Sequence, residues 1–223
     1  MLRLSRECAV YFYADENANA NSGPVSLRCP HCNRFGTFAP LTNGHDVPGR
    51  LPGDVAGFGG LRRCPHPGCF GLVTILLDNQ RQIVAAYPPE LIDFDISGVP
   101  QAVEETVKEA ILCHGNGCYR AAAIMVRRTL EVICQDQNAT GKTLKNRLDS
   151  LRQHLVVPKE LFDAADHLRL LGNDAAHIDA QTYAAVGREE VEIALDLAKE
   201  LVKATYQYAS LVSRLKGLQQ PSS

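Results

Sequence analysis

Cys29-Pro-His-Cys32 and Cys64-Pro-His-Pro-Gly-Cys69 are the two stretches on which the fold turns. Each is a pair of cysteines on a tight turn. Each follows a short β-rich run, Val25-Ser26-Leu27-Arg28 in the first case and Leu61-Arg62-Arg63 in the second. Such a turn points two thiolates and the nearby backbone N–H groups at one point. Two turns facing each other give the four-sulfur tetrahedron that zinc accepts. The expected ligands are Cys29, Cys32, Cys64 and Cys69, holding one structural Zn2+ per chain. His31 and His66 stand open either as replacements for a sulfur or as solvent-facing turn residues. A site of four thiolates has no free coordination position, so it is structural and not catalytic. It adds folding free energy to a segment with little apolar core of its own.

Outward from the second pair, Leu72-Val-Thr-Ile-Leu-Leu77 and Gln82-Ile-Val-Ala-Ala-Tyr87 are two β-rich runs. Asp78-Asn-Gln-Arg81 between them predicts a hairpin with a four-residue connection. The stretch 40–60 holds six glycines and three prolines and predicts a mobile loop. Arg28, Arg34, Arg50, Arg62 and Arg63 cluster around the turns in company with Phe35, Phe38 and Phe58. Arginines among aromatics suit single-stranded nucleic acid through charge and stacking. The alternative is that Phe35 and Phe38 fill a small core and the arginines are solvated.

The cysteines also bear on compartment. There are eight, and besides the two close pairs Cys8, Cys113, Cys118 and Cys134 are scattered. The apolar run 9–13 is too short for an export signal. Paired cysteines without such a signal predict metal ligation in a reducing cytoplasm rather than a disulfide framework. No apolar run approaches the roughly 18 residues of a membrane span, so no membrane partner is expected. The chain has 223 residues with 45% hydrophobic and 22% charged, the composition of a folded protein. Its net charge of -2 argues against a protein that coats polyanions over its whole surface.

Composition breaks near Gly98. Up to that point the chain is rich in Gly, Pro and Asn and has no Lys; beyond it Ala, Leu, Val and Glu dominate. The expected organisation is α+β, with a β zinc-ribbon domain over 1–98, including a flexible N-terminus, and an antiparallel helical bundle over 99–223. In the second part Val103, Val107 and Ala110-Ile111 fall at helical spacing. A second helix runs from about Tyr119 to Gln137 with Ala122, Met125, Val126, Leu130 and Ile133 inward. Leu144, Leu148, Leu151 and Leu155 define a third. Pro158 suits the first turn of a fourth, with Leu161, Ala165, Leu168 and Leu171 inward. A fifth extends from near Gly187 to Lys216. Gly141-Lys142-Thr143 lacks the remaining glycine and the strand of a phosphate-binding loop; Thr140 or Thr143 is expected to cap the third helix.

The fourth helix carries a polar row, Asp166, Arg169, Asn173 and His177, at spacings that share one face. Its expected partners are Arg127, Arg128 and Glu131 of the second helix. Gly172, in mid-pattern, predicts either a kink or the close approach of another backbone.

Leu168-Arg-Leu-Leu-Gly-Asn-Asp-Ala-Ala-His177, with Cys118-Tyr-Arg-Ala-Ala122 and Arg127-Arg-Thr-Leu-Glu131 upstream, resembles a prokaryotic helical family of unknown function within the HEPN superfamily. The resemblance covers roughly 99–210, and members often carry an N-terminal zinc ribbon. It implies a four- or five-helix bundle, a homodimer, and a setting in prokaryotic defence loci. Many HEPN proteins are metal-independent ribonucleases with an Arg-polar-x3-His motif. By that resemblance His177 stands in the His place, Asn173 in the polar place and Arg169 as the nearest arginine, while the arginine's own place is Gly172. Two function classes follow. The first is a zinc-binding, dimeric interaction or nucleic-acid-binding protein with an RNA or protein partner; the second is an endoribonuclease using His177.

Overall fold

The computed structural model describes residues 12–14, 20, 21, 23–41, 45–153, 155, 157–177 and 186–218. The chain divides into two compact units, 1–93 and 94–223. The first is an antiparallel sheet and the second is helical, so the class is α+β.

Among the described residues the first unit has eight strands: β1 (Tyr13–Ala14), β2 (Ala20–Asn21), β3 (Val25–Arg28), β4 (Phe35–Pro40), β5 (His45–Leu51), β6 (Val55–Arg63), β7 (Leu72–Asp78) and β8 (Ile83–Tyr87). The nine-residue β6 is the spine. On one edge it pairs with β7 along Gly57–Arg63, and β7 pairs in turn with β8. Its other edge is shared: β5 takes Val55–Gly59, and β4 takes Arg62 and Arg63. The β7–β8 hairpin is the one expected from the sequence. The core below it is Leu27, Phe38, Val73, Ile75 and Leu77; Leu27, Phe38 and Val73 stand between exposed residues as period 2 requires, whereas Leu76, between Ile75 and Leu77, is buried as well.

The stretch 40–60 is not a loop. It supplies the end of β4, all of β5 and much of β6. Its glycines serve close approach as well as turning. A Cβ on Gly60 would stand 2.0 Å from Asp46 Oδ1, and one on Gly57 would stand 2.6 Å from the Leu77 carbonyl oxygen. Gly60 faces the seam where β5 gives way to β4. A bidentate ion pair fills that seam: Arg62 Nη1 donates to Asp46 Oδ1 at 2.8 Å and Nη2 to Oδ2 at 2.9 Å. Both side chains are 0% exposed, and Arg81 adds a third contact to Asp46 Oδ2 at 3.3 Å. Arg62 is therefore not one of the surface arginines. Within the N-terminal stretch expected to be flexible, β1 and β2 pair with β5, while 1–11, 15–19 and 22 lie outside the described residues.

Among the described residues the second unit has six helices: α1 (Gln101–Gly115), α2 (Tyr119–Asp136), α3 (Leu144–Arg152), α4 (Lys159–Ala176), α5 (Arg188–Val202) and α6 (Tyr208–Gly217). The bundle is organised around α2, which packs on α1, α3, α4 and α5. Ala122, Ala123, Val126, Leu130 and Ile133 of α2 are buried, as are Val107 and Ile111 of α1, Leu148 and Leu151 of α3, Leu168 and Leu171 of α4, and Leu195 and Ala198 of α5. The Thr143 hydroxyl caps α3 by accepting from the Asn146 N–H at 3.2 Å. The Glu190 carboxylate reaches back to the Gly187 N–H at 3.0 Å and starts α5. Two boundaries differ from expectation. α3 stops at Arg152, short of Leu155, and the long last helix is broken by a π-helical turn at Lys203–Gln207. Beyond that turn α6 packs mainly on the turn itself, and its Leu211, Val212 and Leu215 are exposed.

Breaking a buried ion pair by removing one partner leaves an uncompensated charge and costs about 3–5 kcal/mol. Asp46→Ala is expected to lower the stability of the sheet unit by that amount in chemical denaturation. Asp46→Ala with Arg62→Met, an apolar replacement of the pair, is expected to recover most of it.

Candidate metal centre

The first cysteine turn joins β3 to β4, and the second joins β6 to β7. Cys29 N–H donates to the Arg34 carbonyl at 2.9 Å and Asn33 N–H to the Cys29 carbonyl at 2.8 Å, closing the first turn. In the second, Cys64 N–H donates to the Gly71 carbonyl at 2.9 Å and Cys69 N–H to His66 at 3.1 Å. The residue after the last cysteine of each turn is left-handed, Asn33 at φ 58° and Phe70 at φ 49°.

The four thiols converge. Sγ of Cys29, Cys32, Cys64 and Cys69 all lie within 4.8 Å of one another, and all four cysteines are free. The closest contacts run between the turns: Cys29 Sγ to Cys69 Sγ is 3.8 Å, and Cys32 Sγ to Cys64 Sγ is 3.8 Å. Tetrahedral sulfur ligands about 2.3 Å from an ion stand roughly 3.8 Å apart, so the cluster has the dimensions of a metal centre. Backbone donors surround it. The Arg34 N–H holds the Cys32 thiol below its ordinary pKa, and Gly71 N–H donates to Cys69 Sγ at 3.4 Å. Burial pushes the Cys64 thiol up to about 12. Crowded thiols that resist ionisation by themselves ionise when a divalent cation arrives, because the cation stabilises the thiolates directly.

His31 and His66 are neither ligands nor free turn residues. His31 Nε2 lies 2.9 Å from the Leu72 carbonyl oxygen, and His66 Nε2 lies 3.0 Å from the Phe35 carbonyl oxygen. Nε2–H is the donor, since a carbonyl only accepts. Each imidazole thus ties its own turn to the strand that leaves the opposite turn. A glycine seats each ring: a Cβ on Gly71 would stand 2.3 Å from His31 Cδ2, and one on Gly36 would stand 3.3 Å from His66 Nε2. The repeated Cys-Pro-His was the sequence signal for this exchange. The aromatics divide as well, with Phe38 fully buried and Phe35 64% exposed.

The polar row of α4 is arranged differently from expectation. Arg169 Nε donates to Asp166 Oδ1 at 2.8 Å on its own helix, and this guanidinium holds the Asp166 carboxyl below its usual range. The link to α2 comes from Arg127, whose Nη1 donates to the Arg169 carbonyl at 3.3 Å. Glu131 gathers Arg127 at 3.4 Å and Arg128 at 3.3 Å, so Arg128 and Glu131 do not face the Arg169 side chain. His177 is the C-cap of α4, with extended backbone at φ -125° and ψ 130°, and its side chain is exposed. Among the described residues no hydrogen bond to its ring is present. Asn173 is half-buried, and its carbonyl accepts the His177 N–H at 3.0 Å. Gly172 is the point of close approach: a Cβ there would stand 2.5 Å from Arg127 Cβ and 3.0 Å from the Ala123 carbonyl oxygen.

Two outcomes follow from this geometry. Because thiols must ionise to bind, metal uptake by the metal-free protein at neutral pH is expected to release protons into a weak buffer, and apparent metal affinity is expected to fall as pH falls. Calorimetric titration in buffers of different ionisation enthalpy measures both. Gly172→Ala would gain about 1 kcal/mol of helix propensity but meet Arg127 Cβ and backbone with nowhere to move, costing about 1–3 kcal/mol. Thermal unfolding is expected to show net destabilisation.

Among the described residues no helix is long and apolar enough to cross a membrane. No curated protein and no solved structure matches the chain significantly. Residues 108–218, which take in α2 to α6 and the second half of α1, match the family model described as a domain of unknown function (DUF4145).

Proposed function

We propose that the chain is a zinc-stabilised binding protein. In this reading a zinc ribbon is joined to a HEPN-like helical module that pairs with a second copy of itself, and the pair engages nucleic acid or a protein partner in prokaryotic defence. The observation that carries it is the convergence of four thiols within 4.8 Å. An all-thiol tetrahedron favours zinc over magnesium or calcium, which take oxygen. With all four positions filled by sulfur, the ion holds two turns together and performs no chemistry. The work of the unit is then binding by the surface that the ion shapes. Pairing through the helical module is supported by the resemblance to dimeric HEPN proteins. The exposed apolar row of α6, Tyr208, Leu211, Val212 and Leu215, offers area for a second copy to cover.

The endoribonuclease reading has less behind it. The motif's arginine place is Gly172, and the packing of Arg127 and Ala123 against it leaves no room for a side chain. Arg169 is engaged by Asp166, and His177 stands at the exposed end of the helix.

Metal analysis of the purified protein is expected to give one zinc per chain. Cys64→Ser is expected to lose the metal and unfold the sheet while helical circular dichroism persists, because the helices have their own leucine core. Sedimentation is expected to show a dimer at micromolar concentration. Incubation with a mixed RNA pool in EDTA is expected to leave the RNA intact. Cleavage by the native chain but not by His177→Ala would replace this reading with the nuclease.

A further inference from the structure

We propose that the outer face of the sheet is a platform for single-stranded nucleic acid, on which Phe35 and Phe70 stack against bases while Arg28 and Arg63 meet phosphates. This rests on the reading that the metal-held sheet is a binding module, and it names the ligand and the surface.

Strand register defines the face. Residues directly opposite each other in an antiparallel pair point to the same side, and residues two apart along a strand do too. Arg28 of β3 lies opposite Phe35 of β4. Two steps of two along β4 lead to Ala39, which lies opposite Arg63 of β6. Arg63 lies opposite Leu72 of β7, and Thr74, two residues on, lies opposite Tyr87 of β8. One face therefore presents Arg28, Phe35, Arg63, Leu72 and Tyr87, and all five are exposed. The residues between them, Leu27, Phe38, Arg62 and Val73, point the other way and are buried. Arg62 and Arg63 are neighbours in sequence with opposite tasks.

Phe70 stands at the edge of this face, 54% exposed, with the Arg63 guanidinium 5.7 Å from its ring centroid. Its backbone is the second reason for the proposal. A φ of 49° is rare for a bulky residue and costs conformational energy. The matching position of the first turn carries Asn33, a residue suited to that conformation. A large apolar ring that is both strained and left in water is poorly explained by stability. It is explained by a ligand that stacks on it.

Charge selects the ligand. The sequence has no Asp or Glu in 23–41, in 55–77 or in 83–89, which together hold the strands of this face. The acidic neighbour of the face is Glu90, at 3.5 Å from the Arg28 guanidinium. Aromatics at intervals over an arginine-bearing surface whose strands carry no carboxylate over these stretches suit a flexible polyanion with exposed π-faces, which a single strand is and a duplex is not.

The test is fluorescence anisotropy on the zinc-loaded full chain, with a pyrimidine RNA of about 20 nucleotides, enough to span such a surface, the DNA of the same sequence, and the duplex. Both single strands are expected to bind at least tenfold more tightly than the duplex. Phe35→Ala and Arg63→Ala should each weaken binding about tenfold, within the range of one lost base stack. Phe70→Asn is the most telling variant: it should raise the melting temperature by relieving the backbone and weaken binding in the same protein. Arg50→Ala removes an equal charge from the opposite side of the sheet, where Arg50 lies opposite Ala56 in register with Arg62, and should change affinity less than twofold. A zinc-loaded, folded chain that binds no single strand overturns the platform, returns the face to a protein partner and leaves the metal reading intact. Binding that is insensitive to Phe35→Ala and Phe70→Asn, or equally sensitive to Arg50→Ala, also overturns it. A chain without zinc would overturn the metal reading instead.

Discussion

Four thiols from two turns far apart in sequence must meet within 4.8 Å, and the sheet unit depends on that meeting. The apolar core of this unit is a handful of residues, and Cys29 and Cys64 are themselves part of it. Without an ion the same crowding is unfavourable, since buried polar groups are costly unless they are paired. With an ion it becomes the strongest link in the unit. The exchanged imidazoles of His31 and His66 then add two hydrogen bonds across the same junction, each ring seated on a glycine of the opposite turn. The Asp46–Arg62 pair does comparable work at the seam of β4 and β5, where a shared strand edge would otherwise leave a gap. The unit is thus held by polar and ionic contacts at specific points, as expected of a small sheet with many glycines.

Those points explain what the sequence disclosed. Cysteine spacing is a local signal, and so is the alternation of Leu72–Asp78 and Ile83–Tyr87; both were legible because the chemistry sits within a few residues. The stretch 40–60 was misjudged because glycine has two uses. In Gly53 it supplies a turn at φ 82°, but in Gly57 and Gly60 it makes room for a carbonyl and for Asp46. Only the partner in space separates the two, and the partner is not written beside the residue. Arg62 was grouped with its exposed neighbours for the same reason: once 55–63 is known to be a strand, period 2 puts it opposite to Arg63. The histidines needed the comparison of one turn with the other.

The helical unit was more legible because its contacts repeat at 3.6 residues along each helix. Gly172 allowed a kink or a close approach, and the closeness of Arg127 and Ala123 decides for the approach. Arg169 turns to Asp166 on its own helix, while Arg127 makes the crossing to α4. The helix ends one residue before His177, so the face that spacing assigned to that residue does not reach it. A π-helical turn such as Lys203–Gln207 has no reliable sequence mark.

Zinc-edge X-ray absorption on the purified chain tests the account at its centre. The account predicts a single shell of four sulfur neighbours at about 2.3 Å with no nitrogen or oxygen component, since His31 and His66 are committed to backbone carbonyls. A shell containing nitrogen, or a native protein without metal whose sheet is nonetheless intact, would contradict it.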